Sequence, residues 1–313
     1  MQSTTPSSTG RPATASAGPG AGVGLIGPTG RPRRTGLGHI SYFLRQNQLA
    51  LVGSLIIILW LAITLAAPLV SPHDPLKQAI VDRLQPPGAT YLFGTDQLGR
   101  DVLSRVMYGG RISLPAALLV VLLAGGVGVV VGSSAGFLGG AVEEIFMRVT
   151  DVFMAFPTII LAMAIAAALG PNVGNAIVAM VVVWWPNYAR VVRSLVLSVK
   201  ENEYVSASRA VGSSEMRVLW RVVLPNSIAP VLVMGTLDLG NAILVFAGLS
   251  FLGLGAEPST PEWGRMISDG IAFFDQWWMS AFPGLAIFTI VMAFNFVGDG
   301  LRDALDPRLR KQI

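Results

Sequence analysis

Six stretches of this 313-residue chain are apolar over roughly the length that crosses a lipid bilayer. A helix rising 1.5 Å per residue needs about 20 predominantly apolar residues to span a hydrocarbon layer of about 30 Å. Residues 49–70, 113–136, 152–169, 172–189 and 277–298 carry no charged side chain, and 227–252 carries one, Asp238. A backbone inside a membrane must satisfy its own hydrogen bonds, so such stretches fold as helices. The expected fold is an all-α integral membrane protein with six transmembrane helices. The third and fourth form a tight hairpin through Gly170, Pro171 and Asn172.

Charge content supports this. Only 13% of residues are charged and 52% are hydrophobic. A soluble domain carries roughly 25% charged residues, and a disordered chain lacks this much apolar surface. The chain has no cysteine, which excludes disulfides, thiol catalysis and cysteine-based metal sites. Its two histidines, His39 and His73, flank the first apolar stretch on opposite sides, so no His-based metal or catalytic cluster is expected. No phosphate loop of the form G-x-x-x-x-G-K-[ST] is present, so the chain is expected to bind no nucleotide or other cofactor itself.

The net charge of +4 and the pI near 9.8 resolve into topology. With the N-terminus placed inside, 16 of the 22 Lys and Arg residues fall on the inner side. The inner segments then carry +7, the outer segments −2, and Asp238 contributes −1 within a span. By the positive-inside rule both termini are expected to be cytoplasmic, and the chain is read as a multi-pass membrane protein. The basic surplus calls for no nucleic acid partner, only membrane lipid.

Four regions follow. Residues 1–37 are rich in Gly, Pro, Ser, Thr and Ala and are expected to form a disordered cytoplasmic tail. That tail is too long for the n-region of a signal peptide, so the first span should stay in the mature protein. Residues 38–112 hold the first span and a long outer loop, 113–302 a five-helix unit, and 303–313 a cytoplasmic tail. The chain shows no pair of related halves, the signature of many stand-alone secondary transporters. It looks like half of a larger assembly.

The inner loop at 190–226 is the most informative segment. Its pattern predicts a helix, a glycine break at Gly212 and a second helix. Ala207, Ala210, Val211 and Ser214 recur at the three-and-four spacing of one helical face. Ser213 is placed to cap the second helix, Glu215 lies in its first turn, and Pro225 is expected to break the chain before the fifth span. A small-residue helix of this kind either fits a socket on another protein or serves as a solvated connector.

Other residues carry a functional and a structural alternative. Gly128, Gly132 and Gly136, followed by Gly140, recur every four residues, a pattern for close helix contact with either a partner chain or this one. Asp238 either lines a translocation path with Asn241 and attracts a cationic group, or is a buried structural carboxylate. Asn295 is a further path candidate, the alternative being an interhelical hydrogen bond. The outer segment 257–275 is acidic and aromatic. Its Glu257, Glu262, Trp263 and Asp269 are candidates for contact with an external protein or for substrate release, and some of its aromatics suit the membrane interface.

The inner loop resembles the EAA loop of ABC importer permeases, E-A-A-x-x-x-G-x9-I-x-L-P. Ser206, Ala207, Ser208, Gly212, Val222, Leu224 and Pro225 stand at its positions. The spacing matches, and the departures are Ser206 for Glu, Ser208 for Ala and Val222 for Ile. Gly94-Thr95-Asp96-Gln97-Leu98-Gly99-Arg100-Asp101, Leu249-Ser250-Phe251-Leu252-Gly253-Leu254-Gly255 and Gly298-Asp299-Gly300-Leu301-Arg302-Asp303 are similar to the C-type permeases of the dipeptide and oligopeptide group. The resemblance implies a type I ABC importer permease fold, with residues 206–214, including Arg209 and Ser213, forming a coupling helix. It implies peptide import by alternating access with a second, homologous permease chain as heterodimer partner. Two ATPase subunits that carry ATP and magnesium, and an extracytoplasmic peptide-binding lipoprotein, complete the implied assembly. It implies no catalysis by this chain. Permeases for nickel or opine-like ligands in the same family, and more remotely a secondary transporter acting alone, are the alternatives.

Overall fold

The structure, a computed structural model, describes residues 47–305. The tail expected at 1–37, and residues 306–313 of the one expected at 303–313, lie outside them. The described chain is helical. In order come α1 (Gln48–Val70), α2 (Val102–Leu138), α3 (Gly140–Met154), α4 (Thr158–Leu169) and α5 (Val173–Lys200). These are followed by α6 (Glu203–Ala210), α7 (Glu215–Val218), a π turn (Leu219–Val223), α8 (Leu224–Phe251), α9 (Trp263–Ile271) and α10 (Trp278–Leu305). Among the described residues no strand forms beyond an isolated bridge between Thr95 and Asp101.

Local chemistry sets the boundaries. α2 begins eleven residues before the expected span because Asp101 caps it, accepting from the Ser104 amide at 2.9 Å. It ends where Gly139 and Gly140 adopt φ of +68° and +56°, values that glycine tolerates and other residues resist. The hairpin between α4 and α5 forms as expected. Gly170 turns with φ +89°, and the Asn172 side chain caps α5 by accepting from the Gly174 amide at 2.8 Å.

Two expectations change. Residues 152–169 do not form one helix: the chain bends by 87° between α3 and α4, at residues 155–157. Pro157 is the cause, since its ring disfavours a helical residue before it and suits the start of a new helix. Pro225 does not break the chain either. It sits at the start of α8 within one helical run from Glu215 to Phe251. The π turn just before it widens the backbone where the proline ring would otherwise meet a carbonyl. Four helical runs are long and apolar enough to cross a membrane, or five if α3 and α4 count as one bent span. Six were expected. α5 is long enough, but Asn175, Asn187 and Arg190 dilute its apolar character.

Packing settles the glycine alternative. α2 and α5 run side by side in parallel. A methyl group on Gly128 would strike Tyr188 Cβ, one on Gly132 would lie 2.9 Å from Val192 Cβ, and one on Gly136 would lie 2.9 Å from the Arg193 carbonyl. These glycines let α5 approach within this chain. Gly140 meets nothing within 4 Å. Lys200 Nζ donates to the Gly136 carbonyl at 2.9 Å and ties the ends of the pair together. α1 packs on α10, where Trp60 Nε1 donates to Thr289 Oγ1 at 3.0 Å. At the other end of that pair the Asn47 amide donates to Asp303 at 3.3 Å, so both chain ends of the described bundle lie together.

Candidate functional site

The loop between α5 and α8 folds as its pattern predicts up to one detail. α6 ends in a Schellman turn, with the Ser213 amide bonded to the Ser208 carbonyl and the Gly212 amide to the Arg209 carbonyl. Gly212 supplies the left-handed φ of +87° that this turn requires. The cap of α7 is Ser214 instead of Ser213, and its side chain makes no capping bond.

Burial separates two faces. Val205 is fully buried against Val218, Leu219 and Val223 and the α5 residues Val192 and Val196, which anchors the loop to the bundle. The opposite face is exposed at Ser206, Ala207, Arg209, Ala210, Val211, Gly212 and Ser214, while Ser208, Ser213 and Leu224 are half-buried. The predicted small-residue face therefore has no packing partner among the described residues. Arg209 braces the turn from both sides. It donates to Glu215 at 3.2 Å, and its guanidinium lies 5.6 Å from the Phe137 ring at the end of α2.

Sequence inspection missed the apolar part of this surface. Tyr204, Val211, Met216 and Trp220 are all exposed around the same turn, Val211 at 87%. The four-residue step from Met216 to Trp220 was the available signal. Large apolar side chains exposed together mark a contact surface more often than they occur by chance.

The outer candidates divide differently. Glu257 is exposed. Glu262 and Trp263 are not contact residues, because both are fully buried inside this chain. Glu262 caps α9, accepting from the amides of Gly264 at 3.0 Å and Arg265 at 2.9 Å, and from Ser113 Oγ on α2 at 3.0 Å. Burial pushes its carboxyl above the usual glutamate range, against the pull of those donors. Trp263 Nε1 donates to the Val106 carbonyl at 2.9 Å, and its ring meets Trp60 edge-on at 5.1 Å. Asp269 is held by Arg265 at 3.1 Å and by Arg100 at 3.7 Å.

Those contacts belong to a buried charge network that unites the loop between α1 and α2 with α2 and α9. Asp96 pairs with Arg100 at 2.5 Å and with Arg105 at 3.6 Å. Asp96 Oδ1 also accepts from the amides of Leu98 and Arg100. Gly94 and Gly99 make the tight loop possible with φ of +74° and +73°. The segment 94–101 is thus the structural core of the cap expected on the outer side.

At membrane depth, Asp238 lies near the middle of α8, about 20 Å from either end by helical rise. It is half-buried, Asn241 one turn later is exposed, and the Tyr188 hydroxyl of α5 lies beside it. Asn295 is not part of this group. It faces Gly240 on another side of α8, within a cavity of about 610 Å³ between α8, α9 and α10 that is otherwise lined by apolar residues such as Leu244, Phe251, Phe288 and Met292.

The family model "binding-protein-dependent transport system inner membrane component" matches residues 128–311, and the model "N-terminal TM domain of oligopeptide transport permease C" matches residues 42–87. The chain is 43% identical over 268 residues to the dipeptide transport system permease protein DppC of Alkalihalophilus pseudofirmus, covering 85% of this chain and 88% of that one. It is 44% identical over 284 residues to the DppC protein of Escherichia coli K12, covering 88% and 95%. Among solved structures it is similar to a chain of an inward-facing MetNI methionine ABC transporter, with 19% identity, a TM-score of 0.49, and coverage of 62% of this chain and 94% of that one. With a family model over more than half its length and relatives above 40% identity over most of it, this chain belongs to the inner membrane components of binding-protein-dependent transport systems.

Proposed function

We propose that this chain is one permease subunit of an ATP-driven importer that carries dipeptides and oligopeptides across the bacterial plasma membrane by alternating access. The observation that carries the mechanism is the anchored, outward-facing turn at 203–220. Its inner face is locked to α2 and α5 through Val205 and Phe137, and its other face of small and apolar residues lacks a partner among the described residues. Such a part transmits a push from an ATPase subunit to the helices it is anchored on. The permease contributes no bond-making chemistry. It supplies a two-state shape, which ATP on the partner subunits biases by binding one state better than the other.

In this scheme α3 with α4 and the more polar α5 each cross the membrane, giving six spans with both termini in the cytoplasm. The bond between Asn47 and Asp303 supports placing the two ends on one side. A second homologous permease chain closes the path, two ATPase subunits bind the turn, and an extracytoplasmic binding lipoprotein delivers the peptide. The dipeptide substrate is carried over from the relatives of 43–44% identity.

Reconstitution of this chain with its co-encoded permease, ATPases and binding protein tests the proposal. The expected result is ATP-dependent uptake of a dipeptide into proteoliposomes. Ala207→Glu and Gly212→Glu are each expected to abolish ATPase co-purification or uncouple hydrolysis from uptake. Wild-type levels of uptake in both variants refute the coupling role, and absence of peptide uptake by the wild-type complex refutes the substrate.

A further inference from the structure

We infer that Asp238, Asn241 and the hydroxyl of Tyr188 form a subsite for the ammonium group of the transported peptide. Resting on the peptide-permease reading above, this adds where this half of the path meets the charged end of its cargo.

A carboxylate in the middle of a membrane span is costly and persists where it faces a partner or a water-filled cavity. The groups that surround Asp238 are Tyr188 and Asn241, with no cationic side chain among them. The charge is therefore uncompensated within the described chain. A structural carboxylate of the usual kind would be paired, as Asp96 and Asp269 are in the outer cap.

Tyr188 is the independent sign of a missing ligand. The residue is buried, 2% exposed, and among the described residues its hydroxyl reaches no group but the Asp238 carboxylate, with which it forms no well-aligned hydrogen bond. Buried polar groups are nearly always satisfied, and one left open at a carboxylate is suited to a ligand's donor. The tyrosine is held in place with little freedom. Gly125 and Gly128 of α2 pack on its ring and Cβ, and on α8 a methyl group at Gly235, one turn before Asp238, would lie 4.0 Å from its hydroxyl.

The chemistry selects the ligand. A carboxylate, an amide oxygen and a phenol oxygen are all acceptors, and an ammonium group has three N–H donors and no acceptor. The exposed Asn241 gives the subsite an open side. An anionic peptide carboxylate finds no donor charge here, so that end must be met elsewhere in the assembly. Either an α-ammonium or a lysine side chain fits the same chemistry.

The test uses the complete wild-type and variant transporters. Saturation-transfer NMR in the absence of binding protein reports weak contact of dialanine, N-acetyl-dialanine and N-acetyl-lysyl-alanine with the complex. Uptake of dialanine with binding protein is measured in parallel. For wild type, dialanine is expected to give signal and N-acetyl-dialanine none. A signal from the lysyl peptide marks a site that takes either ammonium, and its absence marks one for the α-ammonium alone. Asp238→Asn should lose the dialanine signal and at least tenfold of uptake, and Tyr188→Phe should weaken both to a lesser degree. ATP hydrolysis stimulated by the loaded binding protein should stay within twofold of wild type. Equal signals from dialanine and its acetylated form overturn the inference, as does wild-type uptake by Asp238→Asn. Failure of Asp238→Asn to assemble with the ATPases would make the carboxylate structural and also overturn it. In each of these cases wild-type peptide uptake would still stand, so the subsite and the overall function fail separately.

Discussion

Gly132→Ala offers a test in which two packing arrangements give opposite signs. In an exposed helix, glycine to alanine stabilises by about 1 kcal/mol, because glycine loses more backbone freedom on folding. In this structure the added methyl would lie 2.9 Å from Val192 Cβ and 3.0 Å from the Ala189 carbonyl carbon. Ordinary contact begins near 3.4 Å. Backbone atoms are among those struck, so a side-chain rotation cannot relieve the clash, and α2 and α5 must part by roughly 0.5–1 Å. A gap of that size forfeits about a quarter to a half of each contact, and each contact is worth roughly 0.1–0.2 kcal/mol. Over roughly 50 atom pairs the loss is about 1–5 kcal/mol, a range that contains the ~1–3 kcal/mol measured for overpacked cores. With the middle of that range, about 3 kcal/mol, and the helix gain of about 1 kcal/mol subtracted, the chain should lose about 2 kcal/mol. Gly126→Ala is the control, since a methyl there meets nothing within 4 Å in the same helix. Both variants, purified without partners in detergent, are compared with wild type by unfolding in increasing SDS, followed by tryptophan fluorescence. Gly132→Ala should unfold earlier than wild type and Gly126→Ala no earlier. If Gly132→Ala is as stable as Gly126→Ala, the glycine face does not pack on α5 and contact with a second chain is restored as its role.

Three further outcomes follow from the outer cap. Trp263→Ala should cost about 3–5 kcal/mol of stability in the isolated chain, as large-to-small changes in a core do, and a change confined to binding-protein affinity would contradict its burial. Asp96→Ala should cost about 3–5 kcal/mol, because Arg100 and Arg105 would be left buried without it; stability unchanged from wild type would show that the network carries no weight. For Glu262 the folded carboxyl titrates above its unfolded value near 4.3, so the folded state binds the proton more readily. The stability this contributes is complete below about pH 4.3 and is lost as pH rises through the raised value. Thermal melts between pH 4 and 7 should show wild type losing stability relative to Glu262→Gln as pH increases, and the opposite slope would refute the burial effect.

Much of the inner loop was legible in advance because its signals are local. Gly212 announces a left-handed turn, and Val205 sits opposite small residues within one short helix. The break at Pro157 was equally visible as a proline inside an apolar stretch, but the absence of charge masked it. The glycine ladder was legible as a contact face without revealing its partner. Glu262, Trp263 and Asp269 looked like loop residues because their partners, Ser113, Val106 and Arg100, lie far away in sequence. The open hydroxyl of Tyr188 had no sequence signal, since an aromatic in an apolar helix looks like any core residue.

The sequence by itself determined that this chain lives in a membrane, which stretches are apolar enough to be buried in it and which loop presents a turn, because hydropathy and turn chemistry are properties of neighbouring residues. Only the tertiary structure decided which residues share a surface. It buried Glu262 and Trp263 of the acidic segment in a cap on α2, and it assigned the glycine ladder to α5. It also left a carboxylate and a tyrosine hydroxyl at mid-membrane without a cation. The physical reason is that burial and pairing depend on contacts between distant segments, and one-dimensional spacing records the face a residue lies on without naming what lies across from it.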